Sequence, residues 1–169
     1  MVCGADARKE RKSIQLTHRE MAEANFKEGY NCSQAVFAAF SEEVGLPRQT
    51  ALQLASGFGG GIGRMREVCG AFSGAVMALG ALYGSDDPAH KTAVYAMVQE
   101  LAAKFKVETG SLICRELLGL DKPEGSPVAS PRTETYYKKR PCVEMVGLAA
   151  DLLEQYLAEH PVPRREANA

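Results

Sequence analysis

Apolar residues recur at helical spacing along most of this chain. One such run consists of Val94, Met97, Val98, Leu101 and Phe105. These positions lie three or four residues apart, which is the repeat of one face of an α-helix. Strict alternation of apolar and polar residues, the pattern of a half-buried strand, is nearly absent. The pattern therefore predicts an all-α protein.

Start and stop signals divide the pattern into about seven helices. Thr17 with Glu20 can form a capping box, as can Asn31 with Gln34. Prolines at the start of apolar segments and glycines at their end mark the other limits. The predicted helices cover residues 17–29, 31–45, 47–54, 69–83, 86–110, 111–118 and 141–159. We expect these helices to form one bundle.

A single domain accounts for the chain. Its 169 residues are enough to bury one core, and no internal repeat is visible. We expect residues 1–16 to form a flexible polar leader, residues 17–160 the helical domain and residues 161–169 a frayed tail. Residues 121–139 contain three prolines and predict a long exposed loop.

Two glycine-rich segments have structural interpretations. Residues 57–63 include five glycines but lack the Gly-Lys-Ser/Thr ending of a P-loop and a preceding strand for a dinucleotide fold. They predict a flexible or tightly turned loop whose backbone passes close to another part of the chain. Gly70, Gly74 and Ala78 recur every four residues and predict a helix face that a neighbouring helix can approach closely.

Charge and hydropathy exclude several classes of function. The formal net charge is −1, so no broad basic surface predicts binding to nucleic acid or to an anionic membrane. The basic cluster in residues 8–12 is expected to be a solvated tail. The longest apolar stretch, residues 71–83, is too short to cross a bilayer.

The chain begins without the apolar core of a secretory signal. We therefore expect a cytoplasmic protein. In that compartment ordinary thiols stay reduced, so five cysteines favour metal or redox chemistry over a structural disulfide scaffold.

The five cysteines are far apart in sequence. They are Cys3, Cys32, Cys69, Cys114 and Cys142. No two form a Cys-x-x-Cys pair, which excludes the local zinc-ribbon, ferredoxin, thioredoxin and c-type haem patterns. Inert packing in the core is the alternative at this point, because free cysteine packs well there.

The last four cysteines fall at or near the predicted helix starts. Free amide N–H groups and the helix dipole favour a thiolate there. Three arginines close in sequence could add positive potential: Arg66, Arg115 and Arg140. This placement is a reason to suspect reactive or metal-binding thiolates.

Four segments between about residues 26 and 157 carry a resemblance to a known family. They are Tyr30-Asn31-Cys32-Ser33-Gln34-Ala35-Val36, Cys69-Gly70-Ala71-Phe72-Ser73-Gly74, Ile113-Cys114-Arg115-Glu116-Leu117, and Cys142 before an apolar helix. In order and spacing the chain is similar to the redox-active proteins named for a Cys, a Cys-Gly-Ala-x-x-Gly motif and two further Cys. The resemblance implies that Cys32, Cys69, Cys114 and Cys142 are the family's characteristic cysteines, and that Cys3 is incidental.

Three hypotheses remain open for these four cysteines. They could hold an iron–sulfur cluster or zinc, for which four thiolates are a complete ligand set, in an electron-transfer or cofactor-handling protein. They could instead form exchangeable disulfides that pass electron pairs to an oxidoreductase or electron-transfer partner. In the third hypothesis the bundle is a non-catalytic interaction module and the thiols only pack.

The other candidate chemistry is weak. His18, His90 and His160 are remote in sequence from every cysteine motif, and we expect each on a helix surface. No Ser/His/Asp arrangement or carboxylate pair points to hydrolysis.

Overall fold

The computed structural model describes residues 15–122 and 125–163, and these form an all-α fold. Within these ranges there are nine α-helices and no strand; one isolated bridge joins Val68 to Ile113. The helices are α1 (His18–Lys27), α2 (Cys32–Ala39), α3 (Ser41–Val44), α4 (Arg48–Ala55), α5 (Gly70–Tyr83), α6 (Lys91–Thr109), α7 (Cys114–Leu117), α8 (Glu134–Lys139) and α9 (Cys142–Glu159). Short 3₁₀ turns, Ser56–Phe58 and Pro88–His90, follow α4 and precede α6. The predicted fold class is confirmed.

Capping explains why the first helices begin where predicted. The Thr17 side chain accepts a hydrogen bond from the Glu20 amide, and the Glu20 carboxylate accepts one from the Thr17 amide at 2.8 Å. Asn31 and Gln34 form the same reciprocal pair at the start of α2. Each box satisfies amide groups that have no partner within the helix.

Three details of the prediction were wrong. The helix predicted over residues 31–45 is two helices, because the backbone leaves helical geometry at Phe40. The helix predicted over residues 111–118 has only its central turn, Cys114–Leu117. The predicted exposed loop contains α8, which Thr133 caps by accepting from the Tyr136 amide at 3.1 Å.

The core lies where α1, α2, α5 and α9 pack against one another. Its largest fully buried side chains include Phe26, Phe40, Leu79 and Leu153. The predicted close approach occurs between α5 and α2. A Cβ at Gly74 would lie 2.6 Å from the carbonyl oxygen of Ser33, closer than van der Waals contact permits.

No helix in the described ranges combines the length and the apolar character that crossing a membrane requires. Residues 1–14 and 164–169 lie outside the described part of the chain, so the predictions for Cys3, the basic cluster and most of the frayed tail stay predictions.

Candidate functional site

The four main-body cysteines each stand at the start of a helix. Cys32 is the first residue of α2, directly after its Asn31 cap. Cys69 is the N-cap residue of α5, while Cys114 and Cys142 are the first residues of α7 and α9. The prediction that these residues lie at helix starts is confirmed.

The fold brings these four side chains to one cavity of about 320 Å³. The loop after α4, the starts of α2, α5 and α9, α7 and the segment before α8 all contribute to its wall. Among the described residues that line it, every charged side chain is an arginine. These are Arg64, Arg66, Arg132 and Arg140. All four cysteines are free thiols.

Backbone pairing places Cys69 beside Cys114, although 44 residues (114 − 69 − 1) separate them in the chain. The Cys69 amide donates to the Leu112 carbonyl at 2.8 Å, and the Cys114 amide donates to the Glu67 carbonyl at 2.6 Å. These bonds flank the bridge between Val68 and Ile113. Two otherwise separate helix starts are thereby held side by side.

Cys32 reaches the same place through close helix packing. A Cβ added at Gly70 would overlap the Cys32 sulfur. It would also lie 2.9 Å from the Phe58 carbonyl oxygen, so a side chain at this position would force one of these neighbours to shift. Cys32 also raises the pKa of Cys69, Cys114 and Cys142, so its sulfur is close enough to all three to interact with them electrostatically.

The glycine-rich loop turns with left-handed backbone geometry. Five consecutive residues, 60–64, have φ between 54° and 73°, and Arg66 has φ 65°. Two of the five, Ile62 and Arg64, are not glycine, and such residues cost roughly 1–2 kcal/mol each in this conformation. A Cβ at Gly61 would lie 2.7 Å from the Cys114 Cβ. The predicted tight turn is confirmed, and the neighbour it passes is a cavity cysteine.

Arginines surround the thiols, but they are not all the ones that sequence proximity indicated. Arg66 is buried and its Nη1 lies 3.9 Å from the Cys114 sulfur. Arg140 also lines the cavity. Arg115 does not, because it forms an ion pair with Glu67 at 3.2 Å.

Sequence reasoning missed Arg132, which lies in the predicted loop. Its guanidinium is 4.1 Å from the centre of the Phe26 ring and 4.8 Å from that of Tyr136. It donates to the Tyr30 carbonyl at 3.0 Å. Nothing local in the sequence marks this arginine, because its partners come from α1 and from α8.

Residues 125–133 contribute to one wall of the cavity, and we call this segment the strap. Arg64 donates to the Ser126 carbonyl and, at 3.3 Å, to the Ser130 hydroxyl. Pro127 and Ala129 line the cavity. The segment was expected to be an exposed loop, and most of its side chains are exposed, yet four of its residues line the same cavity as the thiols.

Burial dominates the protonation of the thiols. It raises the pKa of Cys142 from the ordinary 9.0 to about 12, with a further contribution from Cys32. Burial likewise raises the pKa of Cys69 and of Cys114. The expected opposing effects are present: the Phe72 and Ala71 amides lower the pKa of Cys69, and Arg66 lowers that of Cys114. They are smaller than the cost of removing a thiolate from water. The amides at the start of α5 therefore act on Cys69 in the expected direction, but burial outweighs them.

One protein family matches this chain over residues 30–156, under the description "Putative redox-active protein (C_GCAxxG_C_C)". The match spans three quarters of the chain and contains all four cavity cysteines. The chain belongs to this family. In this member the named central segment reads Cys69-Gly70-Ala71-Phe72-Ser73-Gly74, with the cysteine before the glycine. No curated protein and no solved structure matches the chain.

The four thiols are the candidate donors for a metal centre in this cavity. In residues 15–122 and 125–163, no group of three or more His, Cys, Asp or Glu side chains is arranged to hold a metal ion. An iron–sulfur cluster is larger than one ion and takes four cysteines around its body. Four thiols around a cavity fit that requirement in number and in type.

The histidines contribute nothing to the cavity wall that the structure describes. His18 stacks on Phe40, with ring centres 4.1 Å apart, and its Nε2 lies 2.7 Å from Glu43. His90 lies within hydrogen-bonding distance of the Tyr83 carbonyl, and His160 stacks on Tyr156. All three have structural roles at helix ends.

Proposed function

We propose that this redox-active protein holds an iron–sulfur cluster between Cys32, Cys69, Cys114 and Cys142 and exchanges single electrons with a partner protein. The observation that carries the proposal is the convergence of four thiols, from four separate helix starts, on one cavity. Inert cysteines that only fill space would have no reason to share a cavity. Four thiolates are also the complete ligand set of such a cluster.

The electrostatics of the cavity support bound thiolates. The N-terminal ends of α2, α5 and α9 meet there, and each carries partial positive charge. Arg66, Arg132 and Arg140 add positive charge beside the sulfurs. This environment stabilises negative charge on the sulfurs, but its effect on the thiol pKa is smaller than that of burial. A thiol that coordinates iron loses its proton outright, so a bound cluster would keep the thiols deprotonated in spite of burial.

The chain's own residues would hold and shield the site. Burial of Cys69 and Cys114, each less than 8% exposed, keeps water from those two sulfurs. The strap forms a further part of the cavity wall. A bound cluster supplies one-electron transfer at a potential set by net charge, hydrogen bonds to sulfur and exposure to solvent. Arg66 provides the hydrogen bond, and the buried walls limit the exposure.

Exchangeable disulfides are the second candidate. In that reaction two cysteine thiols would lose two electrons and two protons to form one S–S bond, and a partner disulfide would take them to become two thiols. The proximity of Cys32 to the Cys69–Gly70 backbone favours this pair. The raised pKa of Cys69, Cys114 and Cys142 counts against it, because the thiolate is the attacking form.

Analysis of anaerobically purified protein tests the choice. We expect iron and acid-labile sulfide in equal amounts, and visible absorbance that bleaches when one electron is added per cluster. Replacing any one of the four cysteines with alanine should remove most of the iron, whereas Cys3→Ala should leave it unchanged. If the protein contained zinc and no sulfide, the cluster proposal would be wrong and the four thiols would form a structural zinc site. Protein without metal that cycles between thiols and a disulfide would support the second candidate.

We also propose the cytoplasm as the site of action, because that compartment keeps thiols reduced. The partner would be an oxidoreductase or an electron-transfer protein, since a cluster held by four cysteines exchanges electrons.

A further inference from the structure

The cavity contains more than its four thiols. Its volume of about 320 Å³ lies within the range of small-molecule sites, roughly 300–1,000 Å³. Several apolar side chains form part of its wall, among them Phe26, Leu117, Leu118, Pro141 and Met145. Every charged side chain of the described wall is an arginine. This combination suits a small organic molecule that carries a negatively charged group.

Two of the cavity arginines share one aromatic ring. The guanidinium carbon of Arg132 lies 4.8 Å from the centre of the Tyr136 ring, and that of Arg140 lies 5.0 Å from the same centre. All three residues line the cavity. Arg132 stands directly before Thr133, the N-cap of α8, and Arg140 is the C-cap of the same helix. One short helix thus brings two cations and the ring between them to the cavity wall.

Neutral groups hold Arg132 in place. Its guanidinium donates to the Tyr30 carbonyl at 3.0 Å and to the Phe26 carbonyl at 3.4 Å, and it lies 4.1 Å from the centre of the Phe26 ring. These bonds use two of the five N–H donors of a guanidinium. Within residues 15–122 and 125–163, no carboxylate forms an ion pair with Arg132. Its charge is therefore fixed in position without being neutralised by a described carboxylate.

We propose that Arg132 and Arg140, positioned by the Tyr136 ring, bind the carboxylate or phosphate group of a small organic molecule whose apolar body lies in the cavity. Guanidinium groups bind both oxyanions through charge-assisted hydrogen bonds, which are stronger than neutral ones. The cavity then takes a small-molecule ligand beside the thiols, in addition to exchanging electrons with a partner protein. This site does not depend on which redox chemistry the four cysteines carry out.

Calorimetric titration of the anaerobic protein as purified tests the class of ligand. The probes are benzoate and phenyl phosphate, with benzamide and inorganic phosphate as controls. Benzamide has the shape of benzoate without its charge, and inorganic phosphate has the charge without an apolar body. We expect benzoate or phenyl phosphate to bind at least about tenfold more tightly than its control, the effect of one hydrogen bond to a charged group. Failure of both anions to bind, or equal affinity for each anion and its control, would overturn the proposal.

Substitutions of Arg140 test the assignment to these side chains. Arg140→Met should weaken binding of the tighter probe about tenfold or more, and Arg140→Lys should weaken it less because the charge remains. Arg115→Met is the matched control, since Arg115 pairs with Glu67 and does not line the cavity. Melting followed by circular dichroism checks that each variant is folded, and Arg140→Gln replaces a methionine variant that does not fold. Wild-type affinity in a folded variant without the Arg140 charge would contradict the proposal.

The positioning role of Tyr136 is tested by its ring. Tyr136→Leu should weaken binding of the same probe, whereas Tyr136→Phe should retain most of it because the ring that both guanidinium groups face is kept. Equal affinity in these two variants would remove Tyr136 from the site.

Iron and sulfide measured in the same samples separate this site from the proposed cluster. Loss of probe binding from an Arg140 variant that still holds iron supports the ligand site. Loss of iron together with binding would mean that the arginine serves the cluster, and would overturn the proposal. If the wild type contains no iron or sulfide, the cluster proposal fails while the titrations still test the anion site.

Discussion

At the scale of single residues, desolvation outweighs the favourable charges around the thiols. Cys69 receives amide hydrogen bonds from the start of α5, and Cys114 receives one from Arg66, yet the pKa of both is raised. Burying a neutral thiol costs little free energy, whereas burying a thiolate costs the favourable hydration of its charge. Burial in this cavity therefore favours the neutral thiol over the thiolate at these two residues.

This balance predicts how stability depends on pH in protein stripped of metal. Cys142 has an ordinary pKa of 9.0 when the chain is unfolded and about 12 in the fold. Between these values the unfolded chain has released a proton that the folded protein retains, so stability falls as pH rises. The loss is at most about 1.4 kcal/mol per pH unit for this thiol, and the stabilisation is complete below about pH 9.

Urea unfolding of the metal-free protein between pH 8 and pH 11 measures this dependence. Replacement of Cys142 by alanine should make the decline above pH 9 shallower, while Cys3→Ala should not. An unchanged slope in the Cys142 variant would mean that this thiol titrates normally in the fold.

At the scale of helices, the approach of α5 to α2 depends on residues without side chains. Gly70 faces the Cys32 sulfur, and Gly74 faces the Ser33 carbonyl and the Val36 side chain. Both contacts are tighter than a Cβ would allow. Since Cys32 begins one of these helices and Cys69 caps the other, this packing also sets the distance between two of the site's thiols.

Substitution of Gly74 by alanine should therefore destabilise the protein, by about 1–3 kcal/mol, because its Cβ would press on backbone that cannot move easily. Gly80→Ala is the matched control in the same helix. A Cβ there meets nothing within 4 Å, and alanine favours the helix by up to about 1 kcal/mol. Chemical denaturation of both variants checks the prediction, which fails if they unfold at the same urea concentration.

At the scale of the whole molecule, the site is closed by elements that are distant in sequence. Arg132 connects the strap to the end of α1 through the Phe26 and Tyr30 carbonyls and through two aromatic rings. Arg64 connects the same strap to the left-handed turn. Access to the thiols therefore depends on contacts that only the assembled fold provides.

Arg132→Met should loosen the strap without altering any cysteine. Hydrogen bonds from a charged group contribute about 1.5–3 kcal/mol, so we expect alkylation of the cavity thiols in metal-free protein to be about tenfold faster or more. Lys104→Met removes a charge from α6 that pairs with Glu100 and Glu159 away from the cavity. Mass spectrometry of both variants tests the role of the strap, and equal rates would contradict it.

Local signals explain what could be predicted of the fold. Capping boxes at Thr17 and Asn31 and the left-handed glycines Gly45 and Gly110 act within a few residues, so they are readable in a single sequence. The short helix α8 was missed because its segment is rich in prolines and polar residues, which outweighed the Thr133 cap. The split at Phe40 was missed because the apolar pattern continues through it.

For the candidate site, the sequence by itself determined the positions of the four cysteines at helix starts, because helix start signals are local, and the family resemblance singled out these four from the five cysteines. Only the tertiary structure decided that they share a cavity, that Arg66 and Arg132 lie near it while Arg115 does not, and that burial raises the pKa of three thiols. The physical reason is the distance along the chain over which each interaction acts. A helix cap acts over about one turn, whereas burial and electrostatic neighbours depend on every segment that the fold brings together.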